Sequence, residues 1–504
     1  MTTHPPMSRR QLASLAALSS AVFLVAIDGT VLSIAIPQIT AELDPTYTQV
    51  LWIGDIYSFM LAGLLVTMGN VGDRIGRKRL LLIAAVGFGV MSVAAAFAPD
   101  ANTLVVARAL QGMAGAGLMP PTLALIRTVF TDPRQRTTAI GIWSAAGSAG
   151  ASVGPSLAGL LLEHFFWGSV LLINVPVVLF IVVVGGWALP ESVGDARQPI
   201  DPVSIVLSTA GILLAVFGVT ELAHRGFAQW PAYLGLALAI PLLLLFARRQ
   251  FRLPVPLLDF GLFRIPAFSA AVLAEFSVVF AATGALFFLP IYFQGVLDFS
   301  PLQTGLSLLP VSLVSMVVAP QTGRLLRRFG ARRVLLSGMA SSALGLVAVG
   351  LLATAPYLTM VIPLAMLGFG FATVLTTAAD LVLEVAPPAR VGAATGVSET
   401  SFELGSAMGI ALMGSLLTMT YQWLLRLPPG TPDDVGAATA ESISEVPAVT
   451  ADLPPEQASS ILVAAQEAFT TGISITAVVA GGVLGLAALA AARTIPARGT
   501  PTSG

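Results

Sequence analysis

The sequence predicts an all-α polytopic membrane protein with fourteen spans, and three observations carry that expectation. Long apolar runs recur along the whole chain, basic residues fall on alternate connecting loops, and one glycine- and arginine-rich loop occurs twice. A run of about twenty apolar residues crosses the roughly 30 Å hydrocarbon core as a helix. Lipid offers no hydrogen bonds to a bare backbone, so such runs must be helical. A β-barrel would need short alternating segments instead. Composition agrees: 56% of the 504 residues are hydrophobic and 10% are charged, against about 25% charged in ordinary soluble domains.

In order, the spans are read at 11–37, 50–71, 80–98, 103–130, 139–162, 168–189, 203–222, 230–248, 267–293, 302–325, 333–353, 358–379, 391–423 and 469–492. The first run continues past any small-residue cleavage site to Pro37, so it reads as a retained span rather than a removed signal peptide. A polar stretch at 190–202 follows the sixth span. An acid- and proline-rich segment at 424–468 precedes the last one, and it reads as a solvated acidic loop. A short amphipathic helix fits after Pro454 and Pro455, from Glu456 to Phe469.

The basic residues fix the parity of this count. With a cytoplasmic N-terminus, the loops after even-numbered spans are cytoplasmic. They and the N-terminal segment hold Arg9, Arg10, Arg74, Arg77, Lys78, Arg79, Arg127, Arg134, Arg136, Arg248, Arg249, Arg324, Arg327, Arg328, Arg332 and Arg333. Arg225 and Arg426 fall on the other side, and Arg108 lies inside a span. Such a bias is the positive-inside pattern. A missed span would invert it partway along. A multi-pass protein of the cytoplasmic (inner) membrane with both termini cytoplasmic is therefore expected.

Several function classes drop out. There is no cysteine, so disulfides and thiolate metal sites are excluded. The three histidines show no ligand spacing, and no metal site is expected. Lys78 is the only lysine and lacks a Gly-x-x-x-x-Gly-Lys-Ser/Thr context, so the chain has no phosphate-binding loop of its own. Neither Asp-Asp-x-x-Asp nor His-Glu-x-x-His occurs, and the chain does not read as an enzyme. Nothing calls for a cofactor.

The twice-occurring loop divides the chain. Gly69, Asp73, Arg74, Gly76, Arg77, Lys78 and Arg79 follow span two; Gly323, Arg327, Arg328, Gly330, Arg332 and Arg333 recur at matching spacing after span ten. The simplest architecture is a six-helix bundle at 1–190, an inserted two-helix linker at 191–264 and a second six-helix bundle at 265–504, with an extracellular loop at 424–468. Repeated halves are a common transporter design, with sites near the midplane between them. Asp73 is placed to receive arginine hydrogen bonds or to meet a helix N-terminus, where the macrodipole favours an anion. Such a junction would latch one bundle against the other. In the second copy Arg327 takes the aspartate position, which argues against a symmetric latch.

A charge at mid-span costs about 2.5–3.5 kcal/mol on insertion scales and so faces a cavity or a partner. Asp28, Asp55, Arg108, Glu275, Glu399 and Glu403 are the clear cases. Carboxylates outnumber the single arginine, so the interior should attract cations and bind protons. Glu399 and Glu403 are one turn apart and share a helix face. Two such carboxylates can share a proton and lose it when a cation arrives. Arg108 more naturally pairs with an acid than binds a cation. Asp55 and Glu275 are further cation-binding candidates, and Tyr57 and Trp143 are candidate stacking surfaces. Gly154-Pro155, followed by Gly159, permits a kink and close helix packing in span five.

The loop Gly69–Arg79 resembles the Gly-x-Leu-Ala-Asp-Arg-x-Gly-Arg-Lys loop of the major facilitator superfamily. Arg108, Gln111 and Gly112 resemble that family's intramembrane Arg-x-x-Gln-Gly pattern. Gly150, Gly154, Pro155 and Gly159 resemble its antiporter motif, with Ala158 at one glycine position. With the two inserted helices, the chain is similar to the fourteen-span drug–proton antiporters of quaternary-ammonium and mycobacterial multidrug efflux type. The resemblance implies the major facilitator fold, two six-helix bundles plus two inserted helices. It also implies export of lipophilic cationic drugs, dyes and quaternary ammonium compounds by alternating access, driven by the proton gradient. In that reading Asp28, Arg108, Glu399 and Glu403 couple protons, while Asp55, Glu275, Glu399, Glu403, Tyr57 and Trp143 meet substrate. The expected partners are small lipophilic cations, protons and the lipid bilayer, with no nucleic acid, and the chain is expected to be a monomer. A narrow-specificity metabolite or lipid exporter of the same fold is the alternative.

Overall fold

The computed structural model describes residues 7–45, 47–192, 201–225, 230–253, 256, 258, 260–387 and 391–494. The side chains of Asp55 and Pro155, and that of Arg225, lie outside what is described. Every regular element among the described residues is helical. The first bundle comprises α1 (Arg9–Leu43), α2 (Tyr47–Ile75), α3 (Arg77–Ala96), α4 (Ala101–Val129), α5 (Pro133–Leu162) and α6 (Ser169–Ala188). Next come α7 (Pro202–Arg225) and α8 (Trp230–Gln250). The second bundle comprises α9 (Pro266–Gly295), α10 (Leu309–Phe329), α11 (Ala331–Leu351), α12 (Val361–Val385), α13 (Val391–Leu424) and α14 (Pro455–Thr494).

Among the described residues, thirteen helices are long and apolar enough to cross a membrane. The other long helix, α5, has 30 residues and a centre rich in Gly, Ser and Ala. Those small residues let α1 approach. At Gly150 an added Cβ would lie 2.7 Å from the Phe23 carbonyl oxygen, and at Gly154 it would overlap the Thr30 hydroxyl. The α5 backbone stays helical through Gly154 and Pro155, so this segment packs rather than breaks.

Local chemistry sets the helix ends. Ser8 and Gln11 form a reciprocal capping box at the start of α1. Asp100 caps α4 by accepting the backbone N–H of Thr103 and its hydroxyl, which holds the Asp100 carboxyl below its usual range. Gly76 (φ 107°) and Gly330 (φ 80°) turn the chain from α2 into α3 and from α10 into α11. Both occupy the left-handed region that favours glycine.

The repeat seen in the loops extends to packing. In the first bundle α1 packs on α5, α2 on α4, α3 on α4 and α3 on α6; α9 on α13, α10 on α12, α11 on α12 and α11 on α14 repeat this eight helices later. The inserted α7 and α8 pack on each other, and α7 also touches α2 and α13.

Two expectations about the 424–468 segment need correction. The last helix begins at Pro455 rather than Phe469, because Ile461, Ala465 and Ala468 continue its buried stripe. Nor is the segment simply a solvated loop. A short helix, Asp433–Glu441, and the following turn bury Val435, Ile443 and Val446, while the Tyr421 hydroxyl donates to the Thr439 carbonyl. The acidic side chains are left on the outer face of this small cap.

Candidate functional site

The first charged cluster sits inside the N-terminal bundle, where α1, α3, α4 and α6 converge. Asp28 is fully buried, and its Oδ2 is 2.6 Å from Arg108 Nη1. Its Oδ1 accepts from Gln111 Nε2 at 2.8 Å and from Asn174 Nδ2 at 2.6 Å. The Ser92 hydroxyl accepts from both amides, and Gln111 Oε1 accepts from Arg108. A buried carboxylate is tolerated when paired and fully hydrogen-bonded, and this one has three donors. The Arg108 guanidinium also lies 4.5 Å from the Tyr57 ring centroid. Arg108 Nε and the Tyr57 hydroxyl are buried without a hydrogen-bond partner.

Close helix approach makes this cluster possible. A Cβ on Gly112 would overlap the Tyr57 carbonyl oxygen, so α2 and α4 meet along the glycine that follows Gln111. Neither Tyr57 nor Trp143 offers an open stacking face, contrary to the expectation. Tyr57 is buried under Arg108 and against the edge of Phe88; Trp143 is buried and donates its indole N–H to Thr122.

The second cluster lies in the other bundle, between α9 and α13. Glu275 and Glu399 are buried, and Glu403 is half-buried one turn further along α13. The Ser398 hydroxyl donates to Glu275 Oε2. Glu399 lies within electrostatic reach of both Glu275 and Glu403, and among the described residues no arginine or lysine acts on any of the three. One acid is therefore neutralised in the first bundle, and three are left without a cation in the second. Tyr57 stands between the clusters, in electrostatic reach of Asp28 and Arg108 on one side and Glu403 on the other.

The third feature is the loop after α2. Asp73 accepts Arg77 Nη2 at 2.8 Å and Nε at 3.0 Å, and also the backbone N–H groups of Gly392 and Ala393 at 3.2 Å each. Those two amides belong to the first turn of α13, so Asp73 caps a helix of the other bundle. Unpaired amides and the macrodipole make that end attractive to an anion. Gly69 meets Gly392 backbone to backbone, and Arg127 donates to the Ala386 carbonyl at 2.6 Å. Arg74 is half-buried and makes none of these bonds. At the matching position in the second copy, Gly323 faces Thr137 of α5, and Arg327 lines a cleft of about 710 Å³ with Arg134, Asp380 and Glu384. The bundles are closed together at this arginine-rich end, and beside the second copy Arg136 of α5 pairs with Asp380 of α12 at 3.4 Å.

Of the predicted residues, Asp28 and Arg108 come together, as do Glu275, Glu399 and Glu403, and Asp73 and Arg77. Gly154 packs on α1, whereas nothing lies within 4 Å of a Cβ at Gly159. Asn174, Ser92, Ser398 and Gly392 were not anticipated. The first two are lone polar residues inside apolar runs, the same signal that marked the carboxylates.

Comparison with known proteins places this geometry in a family. A sequence model of the Major Facilitator Superfamily matches residues 18–410. Multidrug efflux pump LfrA of Mycolicibacterium smegmatis is 43% identical over 481 residues, covering 95% of each chain. Methyl viologen resistance protein SmvA of Salmonella typhimurium is 35% identical, covering 92% of this chain and 94% of that one. The major facilitator proton:xylose symporter XylE superposes with a TM-score of 0.60 at 14% identity, covering 95% of this chain and 94% of its own, a likeness of fold alone. The chain is a multi-pass membrane protein and belongs to the major facilitator superfamily of transporters.

Proposed function

We propose that this protein is a proton-coupled antiporter that exports lipophilic cationic drugs by alternating access between the two bundles. The observation that carries this reading is the charge asymmetry between them: Asp28 held by Arg108 on one side, and Glu275, Glu399 and Glu403 without a countercharge on the other. Three carboxylates cannot all stay ionised at close quarters without a cation or protons. A drug cation and protons are therefore alternative occupants of the same charge, and each favours a different state. The drug-resistance names of the relatives support a drug substrate.

In this reading the Asp73 cap on α13 holds the arginine-rich end shut. Protons entering from the opposite end discharge the C-terminal acids and release the drug. The bundles then rock about the α2–α13 and α5–α10 seams, and the next cation from the cytoplasmic side displaces the protons. The arginine distribution supports cytoplasmic termini.

The test is reconstitution in proteoliposomes with a pH dye on one side and ethidium as substrate. Antiport predicts proton release on substrate addition and efflux that stops when the proton gradient is collapsed. Efflux that persists without a gradient, and after Glu275, Glu399 and Glu403 are all changed to Gln, would sink the mechanism.

A further inference from the structure

The two bundles meet along two seams, α2 against α13 and α5 against α10, and the inserted helix α7 packs on only one of them. Leu213 of α7 sits where a Cβ on Gly63 of α2 would be 3.2 Å away. Phe217 stacks on Trp52 of α2 at 5.9 Å with an interplanar angle of 10°. Ile212 and Val216 are buried with Phe59 and Ala62 of α2, and Leu404 and Ala407 of α13 pack against the same cluster. One helix thus touches both sides of the seam, in the stretch next to Glu403.

The other seam is built differently. Gly141 of α5 meets the Ala319 carbonyl of α10, and Ala145, Ala319 and Ala372 form a small apolar contact. Met316, one turn before Ala319 on the same face of α10, is 47% exposed, and Ala149, one turn past Ala145, is half-buried. Among the described residues, no helix from outside the two bundles packs on this seam.

We infer that α7 plugs the α2–α13 seam against the bilayer, so that lipophilic cations dissolved in lipid exchange with the interior across the α5–α10 seam. This rests on the drug-export reading for the identity of the occupant. The chemistry is consistent with it: an amphipathic cation partitions into the headgroup region and reaches the carboxylates by a path with an apolar wall, and α7 fills one such path with aliphatic and aromatic side chains. The inserted pair would then decide from which side of the molecule substrate is drawn.

The chain contains no cysteine, so any introduced thiol is unique. Nitroxide labels at Met316→Cys and Ala407→Cys, in protein reconstituted in bilayers, report accessibility to lipid-dissolved oxygen. Oxygen should reach the label at 316 several-fold more readily than that at 407, and trimming the plug (Ile212→Ala, Val216→Ala and Phe217→Ala together) should raise the value at 407. Equal accessibility in the untrimmed protein overturns the plug. A second measurement needs no variant: a diazirine-bearing quaternary ammonium, photolysed with the wild-type protein and competed with unlabelled compound, should modify α5 and α10. Competed adducts on α7 and the α2–α13 faces overturn the route. Absence of dye efflux would remove the drug-export reading, while the oxygen contrast would still decide whether α7 is a plug.

Discussion

Gly69 of α2 and Gly392 of α13 face each other so closely that a Cβ on either would overlap the other's carbonyl oxygen. This contact joins the two bundles at the arginine-rich end, and Asp73, one turn along α2, caps the same helix start. A transporter that alternates must break this contact once per cycle, so its strength sets the balance between states.

Gly69→Ala and Gly392→Ala should therefore favour the opened arginine-rich end. Forcing a methyl group into packed backbone costs about 1–3 kcal/mol, which lowers the ratio of closed to open protein by about 5- to 150-fold. Dye efflux per inserted protein should fall several-fold for both. Gly159→Ala is the control, since nothing lies within 4 Å of its Cβ. Equal losses at all three positions would refute the contact as a gate.

Asp73 offers a graded test of the same junction. Asparagine keeps an oxygen for the Gly392 amide but loses the charge that Arg77 and the helix end select; alanine loses both. A partly buried anion at a helix N-terminus contributes up to about 2 kcal/mol. Spin-label distances across the arginine-rich end should lengthen in the order wild type, Asp73→Asn, Asp73→Ala. An unchanged distribution in the alanine variant would contradict the cap.

Asp28 and Arg108 should behave as one unit. Removing one partner of a buried pair strands the other charge, at about 3–5 kcal/mol. The double variant Asp28→Asn/Arg108→Gln should melt higher in detergent than either single variant, yet transport no better. Simple additivity of the two losses would mean the 2.6 Å contact contributes no coupling.

The C-terminal acids predict a dependence on substrate charge. Coulomb energy scales with the product of charges. A dication therefore loses about twice the electrostatic free energy of a monocation when Glu399→Gln or Glu403→Gln removes one negative charge. The affinity loss for methyl viologen should approach the square of that for ethidium. Equal losses would show that these carboxylates do not face the bound drug.

Much of the fold was legible because its physics is local. Apolar length marked the fourteen long helices directly, and the cost of a charge in lipid marked Asp28, Arg108, Glu275, Glu399 and Glu403. The left-handed turn at Gly76 was visible as a glycine in a repeated loop. Other features depend on partners far along the chain. Gly392 is an ordinary glycine until Gly69 arrives opposite it, and Asn174 is an isolated amide until α6 carries it to Asp28. The position of α7 over one seam leaves no trace in its own apolar pattern, because a helix facing lipid and a helix facing another helix can both be apolar.

The inserted pair also carries its own pH-sensitive tie. Arg249 at the end of α8 grips Asp201, just before α7, with two hydrogen bonds of 2.8 and 2.9 Å, and the Ser204 hydroxyl donates to the same carboxylate at 2.6 Å. The Arg249 bonds first, and Ser204 after them, hold the Asp201 carboxyl down to about 2 from its ordinary 3.8. A carboxylate with a depressed folded-state value contributes its stability above the unfolded value and loses it as pH falls through the folded one. The tie is thus fully present at neutral pH and fades between about 4 and about 2. Part of its strength is screened, because the pair is partly exposed. Asp201→Asn should lower the melting temperature slightly at pH 7 and by progressively less as pH falls toward 2, where about half of the wild-type carboxyls have lost the same charge. A difference that stays constant across that range would assign the effect to packing of Asp201 rather than to its charge.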